Sequence, residues 1–173
     1  MDERYPIGHF NFEGDVSEQQ RDAWIQDIED LPAELRAAVH GLTEEQLNLP
    51  YREGGWSSRQ VVHHLADSHM NSYIRFKLAL TEDNPTIRPY YEERWAELYD
   101  STADIQISLD LIEALHTRWV ILLRSLDAQE YRRTFHHPGS GKTLPLDYNL
   151  GAYSWHGKHH IAHITALRNK QNM

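Results

Sequence analysis

A segment of about twenty residues between Gln60 and Leu80 constrains the fold most strongly. Its apolar residues recur at helical spacing, and no glycine or proline interrupts them. Such spacing places the apolar side chains on one face of an α-helix, and that face must be buried against a neighbour. Ser57, which precedes the segment, is a residue type that caps helix N-termini. The segment therefore predicts a long amphipathic helix.

Three other segments show the same periodicity. The first follows a Ser-x-x-Gln capping box at Ser17 and carries apolar residues as far as Val39, with a kink or break expected near Pro32. The second runs from about Asp104 to Asp127. The last begins near Asn149 and has a basic end, as helix C-termini prefer.

Four long helices and no convincing strand predict an all-α fold. An antiparallel four-helix bundle is the simplest way to bury four apolar stripes together. The length of 173 residues suits one domain, and no boundary is visible, so residues 1–173 are predicted to form a single helical-bundle domain. The segment from Asn84 to Ala103 lacks periodicity, and either packs on the bundle or forms a lid.

Composition narrows the classes of function. The net charge is -9, with 17 basic and 26 acidic residues, which argues against nucleic acid as a partner. No apolar run is long enough for a membrane span and no signal peptide is visible, so we expect a cytoplasmic protein without a membrane partner. The chain has no cysteine, which rules out a protein thiol as nucleophile or metal ligand.

A histidine pair in the last helix indicates a metal site. His159 and His163 are one turn apart, so their imidazoles project from the same face. Such a pair offers a transition metal two nitrogens at a fixed spacing. The residue after His159 is His160 rather than glutamate, which disfavours a zinc peptidase of the His-Glu-x-x-His type.

The Gln60–Leu80 helix supplies the third candidate ligand. Of the adjacent pair His63 and His64, we choose His64 because it lies beside the apolar line through Leu65. Asp67 and Ser68 follow one turn later and could orient an imidazole. We interpret the other histidines of the two helices as surface or partly satisfied residues: His63, His69, His156 and His160. Arg75, farther along the helix, is either a clamp for a substrate anion or a solvated or ion-paired arginine.

Several segments together resemble a known family. They are Gly55 to His69, Arg75 to Leu80 and Trp155 to Ile164. The chain is similar to the DinB-like four-helix-bundle superfamily, in particular its YfiT-like branch of metal-dependent hydrolases. The resemblance implies that His64, His159 and His163 bind one divalent metal ion, with zinc preferred and nickel as the alternative. It also implies a homodimer.

The sequence leaves three functions open. In the first, a metal-dependent hydrolase activates water against a small-molecule substrate, with Asp67 or Asp147 as candidate general base. In the second, a transferase binds the sulfur of a low-molecular-weight thiol, of the bacillithiol type, to the metal. In the third, the metal only stabilises a binding module without turnover.

Overall fold

The computed structural model describes residues 2–173 and consists of four long helices with short elements between them. The long helices are α1 (Glu18–Val39), α3 (Ser58–Thr81), α5 (Ile105–Ser125) and α6 (Leu146–Gln171). The short ones are α2 (Glu44–Leu47), α4 (Glu92–Trp95) and two 3-10 turns, Tyr99–Thr102 and Glu130–Arg132. The predicted four-helix bundle is confirmed. Within residues 2–173 no helix combines the length and apolar character needed to cross a membrane.

Local sequence explains where the helices begin. Ser57 accepts a hydrogen bond from the backbone N–H of Gln60, and the Gln60 side chain accepts one from the backbone of Ser57. This reciprocal capping box starts α3. Ser17 accepts a hydrogen bond from the backbone N–H of Gln20 at the start of α1, which is one of the two bonds of the predicted capping box. Pro32 does not break α1, which is continuous from Glu18 to Val39.

A short hairpin was missed by the sequence analysis. Strands β1 (Thr134–His137) and β2 (Lys142–Pro145) pair in antiparallel register around a turn that contains Gly141. Each strand has only four residues, and neither shows a regular apolar alternation, so periodicity could not reveal them. Because β2 leads directly into α6, that helix begins at Leu146, three residues before the predicted start.

The bundle is antiparallel at two of its four interfaces. α1 packs on α5 and α6, and α3 packs on the same two helices, so α1 and α3 lie on opposite corners. Contacts at matching ends show that α1 runs parallel to α6 and antiparallel to α5, whereas α3 runs antiparallel to α6 and parallel to α5. For α1 these contacts are Arg21–Asp147 and Arg168–Ala38 with α6, and Arg36–Asp110 and Arg124–Glu29 with α5. For α3 they are Ser72–Asn149 and Ser68–Tyr153 with α6, and His63–Ser108 and His69–His116 with α5.

Two features hold α6 close to α1. Arg21 donates hydrogen bonds of 2.6 and 2.8 Å to the two carboxylate oxygens of Asp147, and both side chains are buried. Farther along, a Cβ atom added to Gly157 would lie 1.8 Å from the buried side chain of Leu31. Glycine is therefore needed there for the two helices to approach. Gly157 lies one residue after His156 and three residues before His160 on α6.

Candidate metal centre

Three histidines from two helices converge between α3 and α6. His64 of α3 faces His156 and His160 of α6, and one ligand nitrogen from each lies within 4.8 Å of the other two. The Nε2 atoms of His64 and His156 are 3.2 Å apart. His64 and His160 are buried and His156 is half-buried. His64 thus lies in the bundle interior, as predicted.

The predicted partners of His64 are not the residues that meet it. α6 contains two overlapping histidine pairs of identical spacing, His156 with His160 and His159 with His163. The pair predicted from the sequence was His159 with His163. In the structure, His156 and His160 are the pair that meets His64. His160 follows Tyr153 by seven residues, and Tyr153 contacts Ser68 of α3 through its hydroxyl group at 3.3 Å. His160 therefore shares the face that α6 presents to α3, whereas His159 is rotated from it by about 100°.

His159 and His163 face the N-terminal segment. The ring of His159 stacks on Trp155, with 4.4 Å between centroids. The ring of His163 stacks on Tyr51 at 4.0 Å, and its Nε2–H donates to the carbonyl of Arg4 at 3.2 Å. Together with His160 they form a second group whose nitrogens lie within 4.8 Å of one another. All three belong to one helix, and the group does not include His64.

A chain of hydrogen bonds leads away from the first group into the core. It ends at the carbonyl of Ile28 on α1, whose normal helical partner would be the backbone N–H of residue 32. Because residue 32 is proline, that N–H is missing. His116 of α5 takes its place, with Nδ1 only 2.6 Å from the carbonyl oxygen. A carbonyl can only accept, so His116 carries its proton on Nδ1.

The proton on Nδ1 of His116 determines which nitrogens of His69 and His156 carry their protons. Nε2 of neutral His116 must accept, so Nδ1–H of His69 donates to it at 3.0 Å. By the same argument, Nδ1–H of His156 donates to Nε2 of His69 at 3.2 Å. His156 is therefore left with a lone pair on Nε2, the atom that faces His64.

Burial keeps these imidazoles neutral. Burial, and then the neighbouring His159, lower the pKa of His64 to about 4. Burial also lowers the pKa of His116 to about 4, against the opposing effect of its bond to Ile28. The pKa values of His69, His156 and His160 lie well below the usual value for the same first cause. Neutral imidazole is the form that binds metals.

The three converging histidines open on a cavity of about 550 Å³. Besides histidines, six aromatic side chains line it: Phe10, Trp56, Tyr90, Tyr148, Tyr153 and Trp155. Pro89, Tyr90 and Glu92 come from the segment that lacked periodicity, so this connector covers the cavity while it packs on the bundle.

The predicted carboxylates take other positions. Asp67 is half-buried, does not line this cavity and makes no side-chain hydrogen bond to an imidazole within residues 2–173. Burial, and then the charge of Asp100, raise the pKa of Asp67 to about 6. Ser68 lines the cavity and bonds Tyr153 rather than a histidine. Asp147 is buried in its ion pair with Arg21 and does not line this cavity.

Besides His160, two of the histidines interpreted as surface or partly satisfied residues are buried. His69 is fully buried, and His63 is buried with Nδ1 at 2.7 Å from the hydroxyl of Ser108 and Nε2 at 3.1 Å from the carbonyl of Ala103. The sequence analysis also missed His116. Its partners lie on α1 and α3, so no local pattern around it indicates a role.

Comparisons with known proteins agree with this architecture. The model of the DinB superfamily matches residues 27–164. Proteins from Bacillus cereus strain AH820 and Bacillus thuringiensis subsp. konkukian are each 57% identical over 171 residues, which cover 99% of this chain and 98% of theirs. Both carry the name metal-dependent hydrolase as a provisional assignment. The solved structure of YfiT from Bacillus subtilis matches with a TM-score of 0.97 and 53% identity over 99% of both chains. It is described as a probable metal-dependent hydrolase with an unusual four-helix bundle topology.

Proposed function

This chain belongs to the DinB superfamily, and we propose that it is a metal-dependent hydrolase that holds one divalent cation through His64, His156 and His160 and acts on a small molecule. The names of its relatives support the reaction class. The proposed set differs from the predicted set of His64, His159 and His163 in its two histidines of α6.

The convergence of the three imidazoles carries the proposal. Two nitrogens that bind one zinc ion at 2.0–2.1 Å in tetrahedral geometry are about 3.3 Å apart. The separation of 3.2 Å between the Nε2 atoms of His64 and His156 matches this distance. The buried Nδ1 of His160 has no hydrogen-bond partner within residues 2–173, so no protein bond fixes which of its nitrogens carries the proton.

The donor set is compatible with zinc, the predicted metal, and with nickel, the predicted alternative. Three neutral nitrogens without thiolate suit either metal and leave a coordination position open. When bound, the cation would supply a Lewis acid that polarises a substrate carbonyl and makes water nucleophilic near neutral pH.

The protein itself contributes orientation and exclusion of water. Ile28, His116 and His69 hold His156 in the tautomer that presents its Nε2 lone pair to the cation. Hydrogen bonds behind a ligand of this kind raise its basicity and fix its ring. The aromatic walls exclude water from the bound molecule, and a cavity of about 550 Å³ suits a small molecule. A general base stays a prediction, because Asp67 lies outside the cavity lining.

Metal content tests the site. We would purify untagged protein without added metal and measure zinc and nickel per chain. His156→Ala should abolish binding, and His163→Ala, which removes a histidine of the same helix outside the proposed set, should leave it intact. Equal loss in both variants, or loss only in His163→Ala, would overturn the assignment.

Turnover tests the reaction class. A panel of small esters and amides should be hydrolysed by the zinc-loaded protein and not by His156→Ala. Consumption of an electrophile only when a low-molecular-weight thiol is added would indicate the transferase instead. Metal binding with neither activity would support the third function, a metal-stabilised binding module without turnover. The homodimer and the cytoplasmic location also stay predictions.

A further inference from the structure

Arg75 lies in the same cavity as the three converging histidines. It follows His64 by eleven residues on α3, a rise of about 16 Å. His64, Ser68 and Arg75 all line the cavity, so they share one face of the helix. Side chains on a helix lean toward its N-terminus, so the guanidinium approaches the histidines more closely than its Cα does.

Arg75 is a buried cation without a partner. Only 8% of the residue is exposed. Within residues 2–173 it makes no ion pair and no hydrogen bond, and its buried Nε–H is unsatisfied. Arginine carries five N–H donors and stays charged in proteins. Burial of a charge without a partner costs free energy, and an anion that pairs with the guanidinium would recover part of it.

The surroundings leave this position open to an anion. Glu92 is the only carboxylate residue in the cavity lining, and it is exposed and forms no ion pair with Arg75. His137 of β1 lies on the same wall, where burial and then the charge of Arg75 lower its pKa. The indole N–H of Trp155, also in the lining, is a second buried donor that has no partner among residues 2–173. This cavity therefore contains more unpaired hydrogen-bond donors than anionic acceptors.

We propose that Arg75 binds an oxyanionic group of the substrate, a carboxylate or a phosphoryl group, while the bond to be cleaved lies at His64, His156 and His160. This inference rests on the proposed function for the reacting end of the molecule. The planar guanidinium matches either oxyanion with two parallel hydrogen bonds. The substrate is therefore a small acid whose anionic end lies at a distance from its reacting carbonyl or similar centre.

Binding of simple anions tests the role of Arg75 without turnover. Calorimetric titration of the zinc-loaded protein would use glutarate, inorganic phosphate and neutral glutaramide as probes. Arg75→Met should weaken the binding of the preferred anion at least tenfold and leave zinc content unchanged. Arg75→Lys keeps the charge without the planar fork and should weaken it less. Lys77→Met removes an exposed cation of the same helix and should have no effect.

The outcomes separate the two proposals. If glutarate binds more tightly than phosphate in a way that depends on Arg75, the substrate group is a carboxylate. If phosphate binds more tightly, the group is a phosphoryl group. Equal affinity in wild type and Arg75→Met, or no binding of either anion to wild type, would overturn the role of Arg75. Repeating the titration on metal-free protein shows whether Arg75 binds the anion even if the histidines hold no metal. Urea unfolding of Arg75→Met checks its fold, and Arg75→Gln serves if that variant is unfolded.

Discussion

The Nδ1 atom of His116 lies 2.6 Å from the carbonyl oxygen of Ile28, which Pro32 deprives of its helical hydrogen bond. A proline inside α1 thus provides the acceptor on which the histidine chain ends. Each hydrogen bond of that chain determines which nitrogen of the next imidazole carries the proton, and the last one leaves a lone pair on Nε2 of His156. A residue of α1 therefore influences a nitrogen on α6 that it does not touch.

Replacement of His116 should weaken metal binding although it is not a ligand. In His116→Phe, His69 loses its acceptor and no longer holds His156 in one tautomer. We expect zinc affinity to fall by about 10- to 100-fold, the usual effect of losing such a supporting bond. Competition with a chelating dye measures it. His116→Gln can still accept from His69 and donate to Ile28, so it should restore part of the affinity. Equal zinc affinity in wild type and His116→Phe would contradict the role.

Pro32→Ala should also weaken zinc binding, by a smaller factor. The new backbone N–H would bond to the carbonyl of Ile28 and compete with His116. Because alanine is a far better helix former than proline, α1 itself should not be destabilised. We therefore expect severalfold weaker zinc binding, measured by the same competition, together with an undiminished free energy of unfolding. Pro6→Ala, at a proline outside the helices, is the control and should leave zinc affinity unchanged.

Protonation of His116 should destabilise the metal-free protein in mild acid. The pKa of His116 is lowered to about 4 in the folded state, against an ordinary value of 6.5. Because of this lowered pKa, the unfolded chain binds the proton at a higher pH than the folded protein does. The free energy of unfolding is therefore not reduced by His116 above pH 6.5, and it decreases as the pH falls toward 4. From this residue alone, the free energy of unfolding should be about 2 kcal/mol smaller at pH 5 than at pH 7.5.

Urea unfolding at the two pH values measures this difference. His116→Gln cannot take up the proton, so the difference should be smaller in that variant than in wild type. His69 also has a lowered pKa and should add to the loss in both proteins. A difference between pH 7.5 and 5 that is the same in wild type and in His116→Gln would contradict the prediction, because the raised pKa of Asp67, which acts in the opposite direction, contributes to both proteins.

The sequence predicted the helices well because their signals are local. Capping boxes such as Ser57 with Gln60 and apolar spacing along α3 depend only on nearby residues. The choice between two histidine pairs depends on which face of α6 meets α3, and spacing alone does not distinguish them. The interval of seven residues from Tyr153 to His160 was the available signal, since it places His160 on the apolar stripe. His116 could not be found in this way, because its role depends on residues of two other helices.

Asp67→Asn should stabilise the protein at neutral pH. Burial and then the charge of Asp100 raise the pKa of Asp67 to about 6, so its ionised form is disfavoured in the folded state. A raised carboxyl pKa destabilises the folded protein increasingly as the pH rises from about 4 to 6, and fully above that range. The amide keeps the shape and removes the charge. We expect a higher melting temperature for Asp67→Asn at pH 7, and no difference from wild type below pH 4.

The same variant tests the predicted catalytic role of Asp67. Asp67 lies outside the cavity lining, so zinc content and hydrolysis of the best ester or amide should persist in Asp67→Asn. A loss of turnover with zinc retained would instead restore Asp67 as general base, and would require it to reach the cavity when substrate binds. Asp100→Asn is the matched control, because it removes the neighbouring charge and should lower the pKa of Asp67 without altering that carboxyl group. Turnover that survives in Asp100→Asn but not in Asp67→Asn would therefore identify the carboxylate itself as the group required.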